Sequence, residues 1–266
     1  MQPSVSNTRI TLEPAKDRYI KLAIVVVLAG VFVASVNALD LNVAQFISRL
    51  GNAGNVLRRF MAFDASVLSA GIGQLTISVL LGVCGLIVGG VIAFVFAFCA
   101  AENTTFFKPL GWVIKALVSI IRAVPNLVLI LMIVASIGMG YTAGFIALTL
   151  SSIGYLTKAF ISTIEEQSND IAEALRAGGA SWFQVMYHGY LPHVVTGFIS
   201  WLAIRMESSV SESISLGVVG AGGIGMLLSR AIRQNNTASL GTLILLIFVF
   251  LYALEMAMTK FRRSLQ

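Results

Sequence analysis

Apolar residues in this chain gather into long, nearly unbroken runs. They show neither the alternation of a half-buried strand nor the narrow stripe of a soluble amphipathic helix. A hydrocarbon core about 30 Å thick takes roughly 20 apolar residues per helix. Stretches long enough to cross it lie at 20–38, 72–100, 110–136, 141–161, 194–219 and 238–259. Glycine within the runs and the lack of a two-residue period argue against a transmembrane barrel. The pattern predicts an all-α polytopic membrane protein with about six transmembrane helices.

The first stretch has a second reading. Lys16, Arg18 and Lys21 precede it, and Val36-Asn37-Ala38 fits a leader cleavage site. The long leader and the full-length span favour retention, and cleavage would leave the orientation of the rest unchanged. Residues 39–71 form the longest connection expected outside. Their polar positions Asn42, Gln45, Asn52 and Asn55 and apolar face at Phe46, Ile47 and Leu50 predict an amphipathic helix lying along the outer surface.

Composition supports the membrane reading: 57% of residues are hydrophobic and only 11% charged, against about 25% charged in a soluble domain. The net charge of +6 comes mostly from Lys and Arg flanking the spans, so it is no signal for nucleic acid. With the N-terminus inside, eleven Lys and Arg fall on the cytosolic side and five outside, namely Arg49, Arg58, Arg59, Arg230 and Arg233. The positive-inside rule therefore puts both termini and residues 162–193 in the cytosol.

Catalytic chemistry finds little footing. No Gly-Lys pair occurs, so the chain has no phosphate-cradling P-loop of its own. G-x-S-x-G and H-E-x-x-H are absent, and no nucleophile–base set stands out. Gly220-Ala221-Gly222-Gly223-Ile224-Gly225 spells G-x-G-x-x-G, but a membrane span precedes it and Leu240 stands where a ribose-binding acid would be. A close-packing or gating turn at Gly220, Gly222, Gly223 and Gly225, beside the path near the outer face and at a subunit contact, is the alternative. Cys84 and Cys99 share one span about 22 Å apart along its axis and cannot pair. His188 and His193 lack companions for a metal site, so no metal-ligating or catalytic residue is expected.

Several intramembrane features remain. Gly85, Gly89, Ala93 and Ala97 make a small-residue stripe suited to helix packing within the chain or to a dimer contact. In the third span Pro125 should kink the helix one turn from Arg122. The fifth span carries Arg205, Glu207, Ser208, Ser209, Ser211 and Glu212. Helical spacing puts Arg205, Ser208, Ser209 and Glu212 on one face and Glu207 and Ser211 towards the other. Arg205 and Glu212 stand about 10 Å apart along the axis, too far to bond directly, so each needs a partner from another helix, water or cargo. Intramembrane charges serve either as an interhelical lock or as a pathway.

The polar segment Glu173-Ala174-Leu175-Arg176-Ala177-Gly178-Gly179, closing at Leu191-Pro192, resembles the EAA loop of ABC importer permeases. Leu175 and Gly189 depart from that pattern. The resemblance implies a short cytosolic helix that docks on a separate ATPase through Glu173, Ala174, Gly179, Leu191 and Pro192. Arg205-Met206-Glu207-Ser208, Val218 to Gly225, Arg122-Ala123-Val124-Pro125 and Ile137-Gly138-Met139-Gly140 are similar to permeases of the phosphonate-importer family, and the likeness covers roughly 70–262. Asn126 replaces a common acidic residue there, and Ser209 and Ser211 replace an Asn and an Arg.

What the resemblance implies is a type I ABC importer permease in a prokaryotic cytoplasmic membrane. Residues 1–71 would hold the cytosolic tail, first helix and external connection, and 72–266 the permease core. Its partners would be ATPase subunits that carry ATP and Mg, an extracytoplasmic binding protein and a second copy of the chain. The chain would bind no cofactor itself. Its pathway would use Arg122, Arg205, Glu207, Ser208, Ser209 and Glu212, and its cargo would be a phosphonate or related small phosphorus oxyanion. An amino acid such as methionine is the alternative cargo. A stand-alone secondary transporter is the alternative class; it would show inverted repeats, and none is evident.

Overall fold

A computed structural model describes residues 15–39 and 43–264, and all regular structure among them is helical. Asn42 and the N-terminal tail before Ala15 lie outside the described residues, as do the side chains of Lys16, Phe46 and Arg49. The helices are α1 (Ala15–Ala38), α2 (Val43–Phe60), α3 (Leu68–Ala100), α4 (Lys108–Ala123), α5 (Asn126–Ile137) and α6 (Tyr141–Glu165). They continue with α7 (Asp170–Ala177), α8 (Trp182–Gln184), one π-helical turn (Val185–Tyr190), α9 (Leu191–Val218), α10 (Ile224–Arg233) and α11 (Thr237–Arg263).

The chain divides into two units after Asn55. In the first, α1 exposes its apolar surface along its whole length. A helix forms in the connection after α1 as α2, with Ile47 and Leu50 exposed. The second unit holds α3 to α11.

Among the described residues four helical stretches are long and apolar enough to cross a membrane: Asp17–Ala38, Ala65–Ala100, Tyr141–Glu165 and Thr237–Arg263. The third expected span differs from a kinked rod. It is two helices, α4 and α5, bent by 93°. Pro125 has no N–H for the ladder and bars the residue before it from helical geometry. Val124 is accordingly extended, at φ −79° and ψ 124°. The Pro125 carbonyl then starts α5 by accepting from Val128 and Leu129 at 2.9 and 3.0 Å. The fifth expected span forms as α9, which has 28 residues but falls short on apolarity because of its polar run.

The core is built on α3, α6 and α9. The stripe of small residues on α3 is an internal packing face, for Gly85, Gly89, Ala93 and Ala97 are all buried. A Cβ at Gly85 would stand 2.8 Å from Leu148 Cβ, and one at Gly89 2.6 Å from Ser152 Cβ. Larger side chains would drive α3 off α6. Deeper in, Phe160 of α6 and Phe198 of α9 stack with ring centroids 4.1 Å apart.

At the start of α3, Asp64 ties two helices together. Its carboxylate accepts from Ser66 N at 3.0 Å, from Ser66 Oγ at 2.6 Å and from Ser239 Oγ of α11. Its own N–H donates to Thr242 Oγ1 at 2.8 Å. The Ser239 and Ser66 hydrogen bonds hold the carboxyl below its usual value of 3.8. A carboxyl depressed in the folded state stabilises above its unfolded pKa, and that contribution is lost as pH falls through the folded one. We therefore expect the melting temperature of the purified protein to exceed that of Asp64→Asn at pH 6. The gap should close as pH drops below about 4; a gap independent of pH would contradict the carboxylate's role.

Candidate functional site

The polar segment after α6 folds as a compact helical elbow. In α7, Asp170 and Glu173 occupy the first turn and Arg176 the last, which matches charge to the helix dipole. Gly179 ends the turn at φ +82° with nothing within 4 Å of where a Cβ would be. The glycine is thus required by backbone conformation, not by lack of room. Ser181 and Gln184 form a reciprocal capping box that starts α8. Pro192 follows on the π-helical turn at the start of α9, where it has no N–H to give to the helical ladder.

The two departures from the EAA pattern meet in space. A Cβ at Gly189 would stand 3.2 Å from Leu175 Cδ1, so the larger residue at one position fills the room left by the smaller at the other. Of the residues expected to couple, Glu173, Ala174, Gly179 and Pro192 are exposed and Leu191 is half-buried. Sequence reasoning missed Phe183 and Tyr187, which are 76% and 66% exposed on the same elbow; aromatics in a polar segment were the available signal. The elbow is fastened to the α3–α4 loop. Trp182 Nε1 donates to the Thr104 carbonyl at 2.6 Å and Arg176 Nη2 to that of Asn103 at 3.4 Å. Tyr190 OH donates to Asn169 Oδ1 at 2.9 Å, and burial pushes the phenol up from its ordinary pKa.

The second feature lies inside the bundle. Arg205 is 3% exposed. Its Nη1 and Nη2 donate to Glu212 Oε1 and Oε2, both at 2.8 Å, a bidentate pair. Nη2 also donates to Ser151 Oγ at 2.9 Å and Nε to Ser152 Oγ at 3.3 Å. The guanidinium lies 5.5 Å from the Tyr155 ring centroid. Asn126, first residue of α5, donates to Glu212 Oε1 at 3.1 Å. One ion pair thereby joins α9, α6 and α5.

This corrects the expectation that Arg205 and Glu212 are too far apart to bond. Residues seven apart differ by only about 20° around a helix, so both point the same way. Side chains lean towards the helix N-terminus, which carries the Glu212 carboxylate back towards Arg205. The long arginine spans the rest.

The face assignment also changes. Glu207, Ser208, Ser211 and Glu212 line one cleft of about 530 Å3 together with Phe248, Leu251, Tyr252 and Glu255 of α11. Glu207 and Ser211 therefore share a side with Ser208 and Glu212. Ser209 is fully buried, against Gly82 of α3, and its hydroxyl has no partner among the described residues. Arg122 is exposed in the last turn of α4 with its stem on Gly154, apart from the lock. Ser151, Ser152, Tyr155 and Glu255 were not singled out from sequence, although a Ser-Ser pair and an acid within spans were visible.

The glycine-rich turn packs inside its own chain. Gly220, Gly222 and Gly223 have φ of +93°, +98° and +75°. A Cβ at Gly222 would fall 2.2 Å from Tyr141 Cδ1, and one at Gly225 2.1 Å from the Ile214 carbonyl oxygen. Ile224 N donates to Ser78 Oγ at 3.0 Å. Gly222, Gly223 and Gly225 are buried by this chain, so the turn needs no subunit contact to explain it. The described residues contain no cluster able to hold a metal, and both cysteines are free.

Arg205→Gln strands the Glu212 carboxylate and should cost about 3 kcal/mol or more of stability, read as a lower unfolding midpoint in detergent. Ser209→Ala removes an unsatisfied hydroxyl and should leave that midpoint unchanged or higher. The reverse order would contradict the lock.

The family described as binding-protein-dependent transport system inner membrane component matches residues 85–262. The phosphate-import permease protein PhnE of Mycolicibacterium smegmatis is 31% identical over 260 residues, 96% of this chain and 47% of that protein. The chain thus spans about half that relative's length. The phosphite transport system permease protein PtxC of Stutzerimonas stutzeri is 31% identical over 78% of this chain and 75% of its own. A chain of the inward-facing MetNI methionine ABC transporter superposes with TM-score 0.64 at 19% identity, covering 77% of this chain and 100% of that one, so the fold is that of type I ABC importer permeases. This chain is a member of the binding-protein-dependent transport system inner membrane component family.

Proposed function

We propose that the chain is the permease subunit of an ATP-driven importer for a phosphonate or a related small phosphorus oxyanion. Two copies work together, with residues 72–266 as the core of each. ATPase subunits carrying ATP and Mg dock inside, and a soluble binding protein docks outside. The observation that carries this reading is the exposed elbow at α7 and α8, which presents Glu173, Ala174, Phe183 and Tyr187 and is hydrogen-bonded into the bundle at its back. Such a surface suits docking, with Phe183 and Tyr187 as anchors.

The cargo reading leans on two relatives at 31% identity, a phosphate-import permease and a phosphite transport permease. A methionine cargo has weaker support, from a D-methionine transport permease at 26% identity over 66% of this chain and from a likeness of fold. With Arg205 taken by Glu212 and with Glu207 and Glu255 beside the cleft, the interior holds little fixed charge to attract an anion. Selectivity therefore resides in the external binding protein, and passage through the permease is transient. Co-purification with the ATPase and binding protein, then identification of the ligand on the latter, tests the assignment.

Gly179→Arg forces a side chain into left-handed geometry at a cost of about 1–2 kcal/mol and should abolish ATPase co-purification while the chain still inserts. Normal association would remove α7 and the following turn as the coupler. Both termini and residues 162–193 are cytosolic in this reading. A cysteine placed at Ser168 should resist an impermeant thiol reagent added outside intact cells, in a background without Cys84 and Cys99. Labelling at the rate of an external control site would reverse the orientation.

A further inference from the structure

Beside the elbow lies a cleft that the coupling reading does not use. It measures about 390 Å3 and is formed by the end of α3, the loop after it and the first turns of α4. Glu102, Thr105, Lys108, Gly111, Trp112 and Lys115 line it. Gly111 lets α4 lie against the end of α3, since a Cβ there would already stand 3.4 Å from Ala100 Cα and from Thr105 Oγ1.

The charges of the cleft are unevenly used. Lys115 Nζ lies 3.2 Å from Glu102 Oε1 and 3.0 Å from Glu165 Oε1, so this cation is taken within the chain. Glu102 gives Lys115 one carboxylate oxygen only, and its side chain is 84% exposed. Lys108 is exposed and has no ion pair or hydrogen-bonded partner among the described residues. What remains is one free cation and one carboxylate with an open oxygen. Lys108 and Lys115 together balance Glu102 and Glu165, so the site as a whole is neutral.

The surroundings are those of a membrane interface. Phe106, Phe107 and Trp112 are exposed, and tryptophan settles at headgroup level. Ala116 and Ile120 follow Trp112 at four-residue steps along α4 and are exposed too, an apolar row along which an acyl chain can lie. Pockets of this kind between membrane helices take lipid headgroups. An anionic headgroup would bring a charge that this neutral cleft does not balance. A headgroup with both a phosphate and a primary ammonium does match: the phosphate accepts from Lys108, and the ammonium donates to the open oxygen of Glu102. A trimethylammonium has no N–H to donate.

We propose that this cleft seats the headgroup of a phospholipid bearing a primary ammonium, as in phosphatidylethanolamine, with its phosphate on Lys108 and its ammonium on Glu102. The site depends on neither the cargo nor the ATPase, and the orientation proposed above puts it in the cytosolic leaflet. It lies behind the elbow, because the loop that carries Thr105 also meets Trp182 through the Thr104 carbonyl and the Phe106 ring, the ring centroids being 5.5 Å apart.

The test extracts the full chain from membranes with the subunits that accompany it and strips its lipid with detergent. Equal amounts of phosphatidylethanolamine, phosphatidylcholine or phosphatidylglycerol are then supplied, and the lipid retained is counted by mass spectrometry. Phosphatidylethanolamine should be retained about fivefold or more over the other two, and Lys108→Glu should lower that about tenfold. Glu102→Gln should bring phosphatidylethanolamine down to the level of phosphatidylcholine and raise phosphatidylglycerol. The lipid-free unfolding midpoint of Lys108→Glu should match the wild type, since Lys108 has no partner to lose; a matched midpoint with lowered retention separates binding from misfolding. Preference for phosphatidylglycerol, or equal retention of phosphatidylcholine and phosphatidylethanolamine, would overturn the ammonium contact and with it the proposal. Equal retention of all three, untouched by Lys108→Glu, would leave only bulk lipid around the helices and no site. None of these failures would touch the importer assignment.

Discussion

The bundle depends on one requirement: a charge within the membrane must be given partners before its helix can stay there. Arg205 imposes that requirement, and Glu212 meets it from the same helix. The pair then needs further hydrogen bonds to be worth burying. Ser151 and Ser152 supply them from α6 and Asn126 from α5. Asn126 is in reach because Pro125 ends α4 and restarts the chain at that level. The 93° bend and the polar run of α9, odd as separate features, are two parts of one arrangement.

Close packing completes it. Glycines on α3 let α6 approach, which brings Ser152 next to Gly89 and within reach of Arg205. The glycine-rich turn after α9 folds back against Ile214, Tyr141 and Ser78. At the opposite end of α9 the elbow is held by Trp182, Arg176 and Tyr190. The loop it grips continues into Glu102, which with Glu165 of α6 flanks Lys115 of α4 at 3.2 and 3.0 Å. An elbow fastened in this way cannot shift without loading α3, α4 and α6.

The family-level architecture was legible in the chain because its signals are long or local. Apolar runs report a membrane directly, and the EAA spacing, with Gly179 at a left-handed turn, marks the elbow. The G-x-G-x-x-G string follows a span and not a strand, and its glycines pack within their own chain where a subunit contact had been expected. Three-dimensional relations were less accessible. Helical spacing alone misjudged the Arg205–Glu212 pair, since it ignores the lean of side chains along the axis. It also put Ser209 with Ser208, although a step of about 100° carries Ser209 round to α3. The lock's partners on α6 could not be named, because nothing in one sequence says which helix will face Arg205. The depth of the bend at Pro125 was beyond sequence for the same reason: proline sets a break, while packing sets its angle.

The central claim is that this chain conducts cargo inward only when an attached ATPase drives it. The direct measurement is uptake of a radiolabelled phosphonate, such as methylphosphonate, into vesicles holding this chain and its ATPase, with binding protein outside and ATP within. The account predicts uptake that requires ATP and binding protein together and is lost when the ATPase is left out. Equal uptake by vesicles holding this chain alone, driven by an ion gradient, would contradict it.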